Sequence, residues 1–189
     1  MPRNKLMAST IRLAEAAGAL ACGHVACTLI GIGNASITKP PPLPVTTSNS
    51  EEAAQITKVV SKMYSGGGLD PTMCTDHVTF TDPAARCTGR AECVEAFRAL
   101  RAFEPQHVEE PSAVAMPDGS LHLYLHQRYS ILTSFTIRSV LVVRTDDTGR
   151  VSELEERWNG APLIGFPAFR WVRRVNGVVS SLLTPIILR

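Results

Sequence analysis

A chain of 189 residues is long enough for one well-buried domain and short for two. With 44% hydrophobic and 19% charged residues it is neither a disordered tail nor a coiled coil. The net charge of +2 excludes a bulk nucleic-acid binder, but it is unevenly spread: +3 over residues 1–50, −5 over 51–159 and +4 over 160–189. An acidic globular centre is therefore expected between two basic, rather apolar ends.

Residues 1–50 read as a tail. Leu13 to Gly33 is apolar but interrupted by Glu15 and His24, which makes it a weak membrane span. Arg3, Lys5 and Arg12 with few acids also fit an organelle (mitochondrial or chloroplast) presequence, and a poorly packed helix without an address is the third reading. Pro40, Pro41 and Pro42 cannot continue a helix, so an extended linker leads to the domain start near Ser50. Cys22, Cys27, Cys74, Cys87 and Cys93 are odd in number and contain no C-x-x-C, so free thiols in a reducing, intracellular setting are expected, without a disulfide framework or zinc site.

Ser50 can cap a helix in which Ala53, Ile56, Val59, Val60 and Met63 recur at helical spacing, up to the stop at Gly66-Gly67-Gly68. A phosphate loop is excluded there, since no strand precedes the glycines and no Lys-Ser/Thr follows. Leu69 to Cys74 can form one helical turn, and His77 to Pro83 a short strand with Val78, Phe80 and Asp82 on one face. A second helix spans Arg90 to Ala102, with Cys93, Ala96, Phe97 and Leu100 as its apolar stripe. Extended segments follow at Gln106 to Ala115, Leu121 to Ile131, Ile137 to Thr145 and Val151 to Trp158, with turns at Pro117–Ser120 and Asp146–Gly149. Helices followed by a run of strands predict an α+β domain with helices on one face of a mainly antiparallel sheet, not a dinucleotide-binding fold.

The order of these elements carries a resemblance. The first helix, Leu69-Asp70-Pro71, Val78-Thr79-Phe80-Thr81-Asp82-Pro83, Gly89 opening the next helix, the Thr148-Gly149-Arg150-Val151 hairpin and Glu155-Glu156-Arg157-Trp158-Asn159-Gly160-Ala161-Pro162-Leu163 together resemble the NTF2-like, or SnoaL-like, superfamily. The match resembles plant and fungal members of unassigned activity and covers most of the chain after residue 50. It implies a cone: a curved sheet wrapped around helices, with a cavity at the wide end. Members include ketosteroid isomerase and polyketide cyclases, but also the nuclear transport factor, so the fold leaves function open. The implied organisation is a tail and linker at 1–50, an NTF2-like domain at 51–160 and an amphipathic helical extension at 161–189.

Asp82 matches the general base of the isomerase, where a carboxylate in an apolar cavity has a raised pKa. The strand expected to supply the second acid reads Arg138 to Val143 without Asp or Glu, and Tyr64 falls later than the catalytic tyrosine. The alternative is that Asp82 caps the turn at Pro83. The candidate pocket residues are Tyr64, Phe80, Phe97, Tyr124, His126 and Trp158. Tyr124, His126 or Tyr129 would serve as donors if their face lines the cavity; otherwise Leu121, Leu123 and Leu125 face it. Glu153, Glu155 and Glu156 read as a solvated strand end, with an arginine at 138 or 144 as cross-strand partner. His122 and His126 lie about 13 Å apart along their strand, too far to share a metal, and no motif requires a cofactor.

The extension sets Phe169, Trp171, Val172, Val175, Val179 and Leu182 among Arg170, Arg173 and Arg174, with Gly177 and Pro185 as interruptions. Packing of this helix on the domain is expected first, and membrane-surface contact second. The leading functional expectation is a domain that binds a small apolar ligand or a protein partner, with a homodimer through the exposed sheet face. The alternatives are an isomerase- or cyclase-type enzyme using Asp82 and a membrane-surface accessory protein.

Overall fold

The computed structural model describes residues 51–130 and 134–187. The expectations for the tail, the linker and Cys22 and Cys27 lie outside the described residues.

Helix α1 (Glu51–Lys62) turns Ala53, Ile56 and Val60 into the core, as their spacing dictates. It opens into a wide turn, Met63–Gly67, that buries Met63 and Tyr64. Gly66 (φ 78°) and Gly68 (φ 75°) take left-handed conformations that end the helix, and Arg101 Nε donates to the Gly66 carbonyl at 2.6 Å. Asp70 caps a short turn at Pro71–Met73 by accepting from Thr72 N at 2.9 Å.

Strand β1 (Cys74–Thr81) and the short β2 (Arg86–Thr88) precede helix α2 (Arg90–Ala99) and a tight turn at Leu100–Phe103. Strands β3 (Gln106–Ala115), β4 (Leu121–Ser130), β5 (Ser134–Thr145) and β6 (Val151–Trp158) follow, then helix α3 (Pro167–Ile187). The six strands form one sheet in the order β2-β1-β6-β5-β4-β3, antiparallel except for the parallel pair β1–β6. This is the curved α+β arrangement expected. The sequence pattern missed β2, because three residues cannot show a period.

The pleat divides the sheet cleanly. Leu121, Leu123, Leu125, Gln127 and Tyr129 of β4 face inward with Leu141 and Val143 of β5 and Leu154 of β6, against α1 and α2. His122, Tyr124 and His126 take the other parity and lie on the outer face. Helix α3 packs on α2 and on β2, the sheet edge. The helix continues unbroken past Gly177 and Pro185, the two expected interruptions. Arg174 holds Glu92 with two hydrogen bonds, at 2.6 and 2.9 Å. Asn176 Nδ2 donates to the Ala84 carbonyl at 2.9 Å.

Cys74, Cys87 and Cys93 are free and buried. Burial pushes Cys74 up to about 11, Cys93 up to about 12 and Cys87 higher still, so they are packing residues rather than nucleophiles.

Candidate functional site

The inner sheet face is apolar except along one diagonal. Glu156 on β6, Ser139 on β5 and Gln127 on β4 each share the inward parity of their strand, and His107 on β3 is the register partner of Gln127. Each step crosses one strand. The first two also move one inward position along it.

The floor of the site is aromatic. Phe97 of α2 stands 4.7 Å from Phe80 of β1 and 5.8 Å from Tyr64, edge-on to the latter. This cluster fixes the Tyr64 ring, whose hydroxyl donates to Glu156 Oε2 at 2.7 Å. The chemistry of the pair follows from burial. Glu156 is 5% exposed, and desolvation, then the charge of Asp82, push its carboxyl up to about 7; the Tyr64 hydrogen bond and the Ser139 hydroxyl pull the other way. Near neutral pH Glu156 is therefore divided between acid and carboxylate. Desolvation and the Glu156 charge raise Tyr64 well above the ordinary phenol value, and desolvation, Glu156 and Asp82 do the same to Tyr129. Both phenols stay protonated, and Tyr64 donates to Glu156.

Asp82 has one carboxylate oxygen engaged by its own turn. Its Oδ1 accepts from Ala84 N at 2.8 Å and Ala85 N at 2.5 Å, while its own N–H donates to the Ala85 carbonyl at 3.0 Å. That oxygen caps the Pro83 turn, and the Asp82 charge contributes to the raised pKa values of Glu156 and Tyr129.

The expected pocket residues divide. Tyr64, Phe80 and Phe97 come together on the inner side with Glu156, and Trp158 lies at the end of the same face against Ala84, Ile137, Phe169 and Val172. Tyr124 and His126 are not with them, because strand parity sends them outward. There His126 Nδ1 meets Glu109 Oε1 at 3.0 Å, and Arg138 reaches the same oxygen at 3.6 Å. Glu156 corrects the expectation of a solvated strand end: it has the parity of Leu154 and Trp158, and only Glu153 and Glu155 point outward. Arg144 is the partner of Glu153, at 3.1 Å. The buried acid of the inner face is thus on β6, and β5 has none there. The alternation Leu154-Glu155-Glu156-Arg157-Trp158 held the signal, since two large apolar residues flank Glu156 at a spacing of two.

Two groups on the diagonal are buried without a hydrogen-bond partner among the described residues: Ser139 Oγ and Gln127 Oε1. Ser139 lies beside Glu156 but stops short of a well-formed hydrogen bond. Buried polar atoms are normally satisfied, so two on one apolar sheet face are informative.

No family model matches the chain, and neither does any curated protein. Solved structures do. One is a hypothetical protein with a ketosteroid isomerase-like fold from Catenulispora acidiphila, in complex with trimethylamine; it is 16% identical, covers 59% of this chain and 85% of its own, and has a TM-score of 0.44. The epoxide hydrolase/cyclase-like enzyme SalBIII, described for pyran ring formation in polyether salinomycin, is 22% identical, with 57% and 93% covered and a TM-score of 0.45. An NTF2-like protein of unknown function from Mesorhizobium loti is 21% identical, with 65% and 98% covered and a TM-score of 0.44.

Proposed function

We propose that this chain is an NTF2-like domain that binds a small, largely apolar molecule against its inner sheet face, with the Tyr64–Glu156 pair as polar anchor. The diagonal of buried polar groups carries the reading, because the Tyr64–Glu156 pair and the unpartnered Gln127 Oε1 lie among apolar side chains of the inner face. Native mass spectrometry of the full-length protein from its own host is expected to show a bound small molecule. Tyr64→Phe, which keeps the ring and loses the donor, should retain about tenfold less of it. Bare wild-type protein, with no melting shift across a panel of apolar ketones and alcohols, rejects the reading.

An enzymatic reading of isomerase or cyclase type draws support from a different residue than expected. Glu156, poised near pH 7 and hydrogen-bonded to Tyr64, is suited to take up or deliver a proton next to a bound carbonyl. Asp82 enters this reading as the charge that tunes Glu156.

Two surfaces support partner proposals. The outer sheet face, with Tyr124, His126 and Arg138, is the candidate homodimer face, and the same mass spectra read the oligomer. Among the described residues no helix is long and apolar enough to cross a membrane. Helix α3 is nevertheless inverted: Arg173, Asn176 and Thr184 are buried, while Phe166 just before it and Trp171 and Leu182 on it are exposed. Aromatic residues next to the exposed Arg170 suit an anionic membrane surface. Sedimentation with anionic liposomes should carry down the full-length protein and spare Phe166→Ser/Trp171→Ser. Equal sedimentation of both rejects membrane contact through α3.

A further inference from the structure

Away from the inner face, we propose that the groove between helix α1 and strand β3 is a binding site for a small phosphorylated polyol. Lys58 and Lys62 hold the phosphate, and the acceptors around them take the hydroxyls.

The groove has a volume of about 610 Å³ and is open to solvent, within the size range of small-molecule sites. Its first wall is one stripe of α1: Ala54, Thr57, Lys58, Ser61, Lys62 and Ser65. Its second wall runs along β3 from Glu110 to Ala113. No aromatic or large aliphatic side chain lines it, so its ligand is polar. The β3 wall is irregular. Glu109 faces His126 and Ser112 faces Tyr124, so three steps on β3 match two on β4. β3 is also the outermost strand of the sheet, and Pro111 in this bulge has no N–H for an incoming strand. Bulge and proline together blunt the edge against strand addition. The groove therefore suits a small molecule rather than an extended peptide.

The charges on the α1 wall are unusual. Lys58 and Lys62 are the only lysines between residues 51 and 189, where every other fixed positive charge is an arginine. They stand exposed, one helical turn apart, and like charges at that spacing repel. Among the described residues neither lysine has an ion-pair partner, although acids are in excess in this part of the chain. Hydrogen bonds from Thr72, and then the charge of Lys62, lower the Asp70 pKa, but Asp70 is committed to Thr72 and does not line the groove. A phosphate between the two ammonium groups offers oxygens to both and removes their repulsion. The rest of the lining accepts. Thr57 Oγ1 donates to the Ala53 carbonyl at 2.7 Å, and Ser65 Oγ to the Ser61 carbonyl at 2.8 Å. Both hydroxyls thus face a ligand with lone pairs only. Glu110, exposed on the opposite wall, is a further acceptor and repels a second anionic group. One anionic end and a hydroxylated body match this lining.

The test titrates the full-length protein with glucose 6-phosphate, glucose and inorganic phosphate, followed by protein NMR. Wild type should bind glucose 6-phosphate about tenfold more tightly than inorganic phosphate, and glucose more weakly than either. Lys58→Gln/Lys62→Gln should lose about tenfold for both anions. Glu110→Ala should hold inorganic phosphate at least as tightly but narrow the advantage of glucose 6-phosphate. Arg128→Gln, which removes an exposed cation of β4 outside the groove, should change nothing. Amine labelling read by mass spectrometry gives a second measurement: glucose 6-phosphate should slow modification of Lys58 and Lys62 relative to Lys5 and Lys39 of the same chain. Equal affinity of wild type and the double lysine variant, an equal loss in Arg128→Gln, or equal affinity for glucose 6-phosphate and inorganic phosphate overturns the assignment. So does the absence of binding at millimolar concentration.

Discussion

Between pH 5 and pH 8 the wild-type protein should lose about 3 kcal/mol of stability that a Glu156→Gln variant keeps. The reason is linkage. The Glu156 carboxyl is raised from 4.5 to about 7 in the folded protein by burial and then by the charge of Asp82. Between those two values the native state holds a proton that the unfolded chain has released. Stability therefore falls as pH rises through the window, the reverse of a salt-bridged carboxylate. Each pKa unit is worth about 1.4 kcal/mol, which gives the total. Glutamine cannot ionise and keeps a carbonyl oxygen for the Tyr64 hydroxyl, so it should be flat across the window apart from contributions common to both proteins. Urea unfolding at closely spaced pH values measures the difference curve directly. Asp82→Asn keeps the oxygen that caps the Pro83 turn and removes the charge, so the step should shrink and end at lower pH. Parallel profiles for wild type and Glu156→Gln would show that Glu156 does not titrate in this window, and the acid–base reading of the Tyr64 pair would go with it.

The same residue shows what could be read in the chain. Element order and type were legible because long periodic segments carry them: the α1 stripe through Ile56 and Val60, the β4 alternation from Leu121, and the turns at Asp118 and Asp146 whose side chains hydrogen-bond their own backbone. Parity separates the Leu121–Leu123–Leu125 face of β4 from the His122–Tyr124–His126 face, but it does not say which faces in, and the pocket places expected of Tyr124 and His126 lie on the wrong side. The site was less legible. Asp82 was visible as a candidate because it shares parity with Phe80, but its commitment to the Pro83 turn depends on backbone geometry. Glu156 lay in a run of acids that reads as solvated, although its neighbours Leu154 and Trp158 give it an inward place. The His107–Gln127 contact was invisible: a register shift inside β3 decides which side chain faces in, and no residue pattern announces it. The helix α3 interruptions were over-read for a similar reason. Glycine is a poor helix former, yet it is required where another backbone comes close.

That close approach sets the second large effect. A β-carbon at Gly177 would overlap the carbonyl of Arg86 on β2. The obstacle is backbone held in the β1–β2 ladder, through the pairing of Thr81 with Arg86, and cannot swing aside as a side chain would. Alanine would contribute about 1 kcal/mol through helix propensity, and overpacking against rigid structure costs about 1–3 kcal/mol or more. Displacing α3 also breaks the Asn176 hydrogen bond to Ala84 and the two Arg174 bonds to Glu92. Gly177→Ala should therefore destabilise the protein by roughly 2 kcal/mol or more, and Gly177→Val by more. Gly165→Ala is the control, since a β-carbon there meets nothing within 4 Å and should be near neutral. Thermal melts measure the loss, and limited proteolysis locates it, with cleavage between residues 163 and 176 accelerating in the Gly177 variants alone. Because Phe169 and Val172 cover Trp158, Ile137 and Ala84 at the end of the inner face, loosening α3 also opens that end to solvent. Off-rates of a bound probe should then rise in Gly177→Ala while the Tyr64–Glu156 pair stays intact. A Gly177→Ala protein as stable as wild type would show that α3 docks without this contact.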